Sequence, residues 1–262
     1  MPTMKFSTPE RPIGGPRRQR RGMFLLPSLI TVGNMFCGYA CVMYAMRGDV
    51  AVAAPFIGIA VVLDMLDGRI ARMTGTGSDF GLQLDSLADV ISFGLAPAVL
   101  AFSWGLSEAG RWGWAAGFVY VTACALRLAR FNVQTNTQPD KRYFIGMPSP
   151  SAAGVVASTV FAFPHGFSGR GQIIAAMAVV AVPAILMVTT IRFRSFKTLN
   201  LGRQKSYLPI FLFALFIVCI ATEPQWTLLV LSYAYLASAF IGQVVTRVRH
   251  RRGLPPPAAA GS

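Results

Sequence analysis

Polar residues in this chain fall into short clusters between eight long apolar runs, at about residues 25–46, 50–72, 82–104, 112–132, 148–164, 171–191, 207–222 and 225–246. An α-helix rises about 1.5 Å per residue, so a run of about 20 apolar residues crosses the hydrocarbon core of a bilayer. The pattern therefore predicts an all-α integral membrane protein, a bundle of about eight transmembrane helices. The joints between runs carry turn chemistry. Arg47, Gly48 and Asp49 read as a tight turn, and the stretch T-G-T-G-S-D from Thr74 to Asp79 reads as a chain reversal. A longer loop of about fifteen residues, holding Lys141 and Arg142, precedes F-I-G-M-P-S-P-S-A-A-G. Pro97 is expected to bend the third helix. The run that opens at Met23 is too long for the apolar region of a secretory signal and lacks a small-x-small cleavage site, so it reads as the first span.

Composition agrees with this pattern. Hydrophobic residues make up 54% of the chain and charged residues 13%, and mean hydropathy is +0.53. That leaves room for one membrane domain, residues 23–247, and none for a second, soluble one. Residues 1–22, rich in Pro, Gly and Arg, read as a disordered basic cytoplasmic tail, and residues 248–262 as a disordered C-terminal tail. A net charge of +14 would suit a nucleic-acid binder, but the placement of the charge argues against that partner. With the N-terminus in the cytoplasm, all but Arg47, Arg111 and Arg170 of the 24 basic residues fall on the inner side. This is the positive-inside pattern, and an even number of spans then places both termini in the cytoplasm. The same basic rim suits anionic membrane lipids. The four cysteines, Cys37, Cys41, Cys124 and Cys219, lie inside apolar runs and read as small buried hydrophobes.

Chemistry concentrates in the stretch from Asp64 to Asp89. Asp64 and Asp67 are three residues apart, Asp85 and Asp89 four, so on helices each pair shares one face about 4.5 to 6 Å apart along the axis. Two such faces brought together form a cage of four carboxylates, which must either take up protons or hold a cation. All-oxygen ligation suits Mg²⁺ or Mn²⁺, and no His or Cys stands nearby to favour zinc. Gly68 and Ala71, one turn beyond the first pair, leave room for a ligand against the backbone, and Arg72 puts a fixed cation where a phosphate would sit. Ser78, in the reversal, could offer its hydroxyl to the same phosphate. Capping or surface ion pairing is the plainer reading of the acids, but it accounts for neither the second acid of each pair nor Gly68 and Ala71.

Two further groups stay open between readings. On the first run, Pro27, Ser28, Thr31, Asn34 and Gly38 suit either helix packing or ligand contact. At the end of the fourth, Arg127 and Arg130 share a face and Asn132 follows; the arginines are either topology signals or a site for an anionic group.

Written as a pattern, the central stretch is D-x2-D-G-x2-A-R-x8-G-x3-D-x3-D, in which Gly81 supplies the third glycine-or-alanine position. It resembles the motif of the CDP-alcohol phosphotransferases, membrane enzymes that move a substituted phosphoryl group from a CDP conjugate to an alcohol. The segments L-D-S-L-A-D-V-I-S-F-G-L-A-P-A, A-L-R-L-A-R-F-N and G-M-P-S-P-S-A-A-G are similar to those of the bacterial and archaeal phosphatidylserine synthases within that family, a likeness covering about residues 25–154. Ser28 departs from it, standing where relatives often carry Asn. The resemblance implies transfer of a phosphatidyl group from CDP-diacylglycerol to L-serine, at the cytoplasmic face of the inner membrane, with two divalent ions, Mg²⁺ or Mn²⁺. It implies Asp64, Asp67, Asp85 and Asp89 as metal ligands, with Asp89 also the general base. Gly68, Ala71, Arg72, Ser78 and Gly81 would contact CDP-diacylglycerol, and Arg127, Arg130 and Asn132 would contact serine. Inositol phosphate or glycerol phosphate is the alternative acceptor, and a cation transporter the alternative outside enzymes. Homodimer formation is left open.

Overall fold

A computed structural model of the chain describes residues 25–74, 78–135, 143–166, 169–189, 192–194 and 208–251. The expected tail 1–22, residues 75–77 of the reversal, Lys141 and Arg142 of the long loop, and residues 252–262 lie outside the described residues.

The apolar runs fold as helices close to their expected limits. The first two are α1, Leu25–Met46, and α2, Val50–Thr74. Between them Gly48 adopts φ +84°, with Asp49 N–H donating to Tyr44 O at 3.0 Å and Gly48 N–H to Ala45 O at 3.0 Å. This is a Schellman cap, and glycine is the residue that enters its left-handed position without a Cβ penalty. Asp49 O then accepts from Val52 N–H and Ala53 N–H, which starts α2 at once and lays the two helices antiparallel along their length.

The third run is broken into three pieces: α3, Asp79–Asp89; a π-helical turn, Val90–Leu95; and α4, Ala96–Trp104. Ala96 N–H donates to Ile91 O, five residues back, and Pro97, which has no N–H to offer the preceding turn, follows at once. The bend expected at Pro97 thus takes the form of a wide turn just ahead of it. The turn is seated tightly. A Cβ on Gly38 of α1 would come within 2.8 Å of Ser92 Cα, and one on Gly94 would touch the Cys124 side chain at 3.4 Å.

A short 3₁₀ turn, Leu106–Ala109, leads into α5, Arg111–Thr135. Then come α6, Ser149–Ala162, α7, Arg170–Val188, α8, Leu208–Thr222, and α9, Pro224–Arg251. α9 takes in residues 248–251 of the segment expected to be a tail. The all-α expectation needs one amendment. Strands β1, Tyr143–Ile145, and β2, Arg192–Arg194, pair antiparallel with Phe144 opposite Phe193. This ribbon ties the loop before α6 to the end of α7, where Met147 N–H also donates to Leu186 O at 3.0 Å.

Helices inside a bilayer gain little from burying apolar surface against each other, so close contact between small residues holds them together. The core fits that rule: Ala53, Ala60, Ala96, Ala152 and Ala176 are fully buried around Phe93, Ile57 and Tyr120. Large apolar side chains such as Phe36, Ile59, Phe118, Ile185 and Phe211 face outward, as suits contact with lipid. Among the described residues, four helical segments are long and apolar enough to cross a membrane: Pro27–Met46, Val50–Met73, Phe80–Trp104 and Arg170–Val188. α6 is a shorter apolar helix. The N-terminal ends of α1, α3 and α6 and the C-terminal ends of α2, α5 and α7 lie at one side of the bundle, and the acids lie there too.

Candidate active site

The last three turns of α2 and the whole of α3 supply the four acids. Ser78 fixes where α3 begins: it is the N-cap, its Oγ accepting from Gly81 N–H at 3.0 Å. A Cβ on Gly81 would approach that Oγ to 3.1 Å, so Gly81 serves the cap directly. A hydroxyl that accepts in this way keeps its own proton to donate, which leaves Ser78, exposed at the helix start, free to meet an anion. Four residues after Gly81, the Asp85 carboxylate meets the acids of α2.

Oxygens of Asp64, Asp67 and Asp85 lie within 4.8 Å of one another, a grouping that could hold a metal ion. Asp67 is buried and the other two half-buried. Asp85 Oδ1 is buried with no hydrogen-bond partner among the described residues. A buried carboxylate oxygen left unpaired is costly, and a cation at the centre of the three would satisfy it. The donor set, carboxylate oxygens alone, suits a hard divalent ion. Asp89 stands beside this trio. It lies within electrostatic reach of Asp64 and Asp85, and its Oδ1 accepts from Asn34 Nδ2 at 3.4 Å.

The α1 residues left open between packing and ligand contact bond to the acids themselves. Thr31 Oγ1 donates toward Asp67 Oδ2 at 3.0 Å, and Asn34 reaches Asp89. Sequence reasoning picked out both residues as polar positions in an apolar run but had no means of showing which partners they meet.

Positions expected to admit the nucleotide are open. Nothing lies within 4 Å of the place a Cβ on Gly68 would take, and Arg72 is exposed in the last turn of α2. Ala71 is half-buried beside them.

The two arginines of α5 meet different partners. Arg127 Nη1 donates to Ser149 Oγ of α6 at 2.6 Å, and its Nε is buried with no partner among the described residues. Its guanidinium lies within electrostatic reach of both Asp64 and Asp89. Arg130, exposed, reaches Val188 O at the end of α7 at 3.3 Å. Both line one cavity of about 460 Å³ with Leu126, Ala129, Met187 and Val188. Asn132 turns the other way, its Nδ2 donating at 2.8 Å to Ser86 Oγ, which itself donates to Leu82 O; it ties α5 to α3 next to Asp85. Ser149 was not foreseen as part of the site. Its signal was its place in G-M-P-S-P-S-A-A-G, at the start of a helix on the acids' side.

Residues 24–191, from α1 to the end of α7, match the CDP-alcohol phosphatidyltransferase family. The chain is 34% identical over 230 residues to a CDP-diacylglycerol–serine O-phosphatidyltransferase of Helicobacter pylori, covering 87% of this chain and 94% of the relative. It is 33% identical over 175 residues to the enzyme of the same name from Bacillus subtilis, covering 67% and 93%. An archaetidylserine synthase of Methanothermobacter thermautotrophicus is 35% identical over 170 residues, 64% of this chain and 69% of the relative.

Proposed function

The chain belongs to the CDP-alcohol phosphatidyltransferase family, and from that premise we propose that it transfers the phosphatidyl group of CDP-diacylglycerol to the hydroxyl of L-serine, giving phosphatidylserine and CMP. The observation that carries the reading is the convergence of Asp64, Asp67 and Asp85 on one point, with Asp89 at its edge. The serine assignment draws support from the named activities of the relatives and from Arg127, a half-buried cation whose Nε has no partner among the described residues, next to that point.

In this reading Asp64, Asp67, Asp85 and Asp89 hold two divalent ions, Mg²⁺ or Mn²⁺. When bound, such ions supply positive charge to the pyrophosphate and to the departing CMP oxygen. The chain's own residues do the rest. The open face over Gly68 and Ala71 admits the cytidine diphosphate against α2, with Arg72, Ser78 and the turn at Gly81 on its phosphate side. Asp89 accepts the proton of the serine hydroxyl as its oxygen attacks the lipid-side phosphorus in line; the new O–P bond forms as the bond to CMP breaks. Asn34, by donating to one Asp89 oxygen, leaves the other to take that proton. Arg127 binds the serine carboxylate, with Arg130 on the same cavity; Asn132, bonded to Ser86, serves the packing of α5 on α3. Ser149 holds the Arg127 guanidinium in place by accepting from Nη1.

Placing the site at a membrane interface suits a reaction that joins a lipid to a water-soluble amino acid. The positive-inside pattern supports eight spans with both termini in the cytoplasm and the site on that face of the cell membrane. The test is CMP release from CDP-diacylglycerol by the purified protein with a panel of alcohols: serine is expected to support it, and release only with inositol phosphate or glycerol phosphate would reassign the acceptor.

A further inference from the structure

We propose that α1 is the positioning rail of the active site: Thr31 and Asn34, one helical turn apart, each fix one carboxylate from a different acid pair and are needed to set its orientation. The inference rests on the reading of the acids as a metal and base site, and adds to it two residues that touch neither ion nor substrate.

The geometry is specific. Thr31 is 4% exposed and Asn34 fully buried, and they point at Asp67 and Asp89, which are 4% and 8% exposed. Each contact uses one carboxylate oxygen: Oδ2 of Asp67 at 3.0 Å and Oδ1 of Asp89 at 3.4 Å. The second oxygen of each is left for a cation or a proton. A carboxylate on a helix rotates about two side-chain bonds, and a donor on one oxygen removes that freedom, as hydrogen-bonded partners of metal ligands do elsewhere. The Thr31 hydroxyl has a second acceptor in reach, Pro27 O at 3.1 Å. Its single proton goes preferentially to the charged oxygen, because hydrogen bonds to ionised acceptors are about twice as strong as neutral ones.

The rail is itself fixed. Asn34 O accepts from Ser92 Oγ in the π turn at 2.9 Å, and Gly38, one turn further along α1, lets that turn lie against the helix. Asp89 is the last residue of α3 before the turn, so α1 grips both its side chain and the backbone that follows it. Ordinary packing would be served as well by Val at 31 and Leu at 34.

The experiment uses the full-length protein in detergent, with Mn²⁺ alone as the probe, followed by electron paramagnetic resonance, and steady-state kinetics beside it. Thr31→Val is expected to weaken Mn²⁺ binding about 10- to 100-fold, and Thr31→Ser, which keeps the hydroxyl, to restore it. Asn34→Leu is expected to lower kcat about 10- to 100-fold with KM for CDP-diacylglycerol little changed. If either variant does not fold, Thr31→Ala or Asn34→Ala carries the same expectation. Wild-type Mn²⁺ affinity in Thr31→Val, or wild-type kcat in Asn34→Leu, overturns the positioning role alone. Failure of the unaltered protein to bind Mn²⁺, or binding that survives Asp67→Asn, overturns the metal site and this inference together.

Discussion

At the scale of single residues, the proposed reaction gives the acids two tasks, holding metal and taking a proton, and substitutions should separate them. Asp89→Asn keeps the shape of the side chain and one acceptor oxygen but takes up no proton. A fall in kcat of about 10²-fold or more is expected, the range for loss of a general base, while CDP-diacylglycerol still binds; near-normal turnover would remove Asp89 from that role. The arginines should separate as well. Arg127 sits near Asp64 and Asp89 with a free donor, whereas Arg130 is exposed and turned to the end of α7. Lysine keeps the charge but loses the planar fork. Losing one charge-assisted hydrogen bond costs about 1.5 kcal/mol or more, so Arg127→Lys should raise KM for serine about 10-fold. Arg130→Lys should do less. If KM for CDP-diacylglycerol rises instead, Arg127 serves the lipid phosphate.

Most of these residues could be named from the sequence, because acid spacing, the glycine and alanine one turn on, and Arg72 are local facts. What the spacing left open was which donor meets which acceptor. Thr31 and Asn34 lie 36 and 55 residues from Asp67 and Asp89, and Ser149 lies 22 from Arg127. Such pairings depend on how helices are laid side by side, which hydrophobic periodicity does not encode.

At the scale of elements, helix limits were legible and local geometry less so. The runs at 25–46 and 50–72 correspond to Leu25–Met46 and Val50–Thr74, since Gly48 ends one and Asp49 starts the other by turn chemistry visible in the sequence. Pro97 signalled a disturbance, but its form, a π turn that ends at Leu95, depends on Gly38 of α1 making room for Ser92 and on Gly94 of the turn itself lying against Cys124 of α5. The β1–β2 ribbon was not legible, because each strand is three residues long and pairs across the whole of α6 and α7. The π turn gives a stability test. Gly38→Ala places a methyl within 2.8 Å of Ser92 Cα, a contact that only a backbone shift relieves. It should cost about 1–3 kcal/mol, as overpacking does, seen as a lower thermal midpoint in detergent and accompanied by reduced kcat as Asn34 and Asp89 move apart. An unchanged midpoint would show that α1 and the turn are not closely docked.

At the scale of the whole molecule, acids from two helices, orienting donors from a third and a cation from a fourth meet at one end of a bundle of small-residue contacts. Composition was enough to read an α-helical membrane protein. It left unread that α8 packs chiefly on α9, beyond the part of the chain matched to the family. The topology makes its own prediction: single cysteines at Ser78 and at Gly110, in a background with the four native cysteines replaced, should label from opposite sides of the membrane, Ser78 from the cytoplasm. Labelling of both from one side would break the alternation on which the site's placement rests.

The most direct test of the account is release of CMP by the purified protein from CDP-diacylglycerol in the presence of Mg²⁺ or Mn²⁺, with each acceptor alcohol added in turn. The account predicts CMP and phosphatidylserine in equal amounts with L-serine, none after removal of divalent ions by excess chelator, and none in Asp64→Asn. CMP release at full rate in excess chelator, or with another alcohol but not with serine, would contradict it.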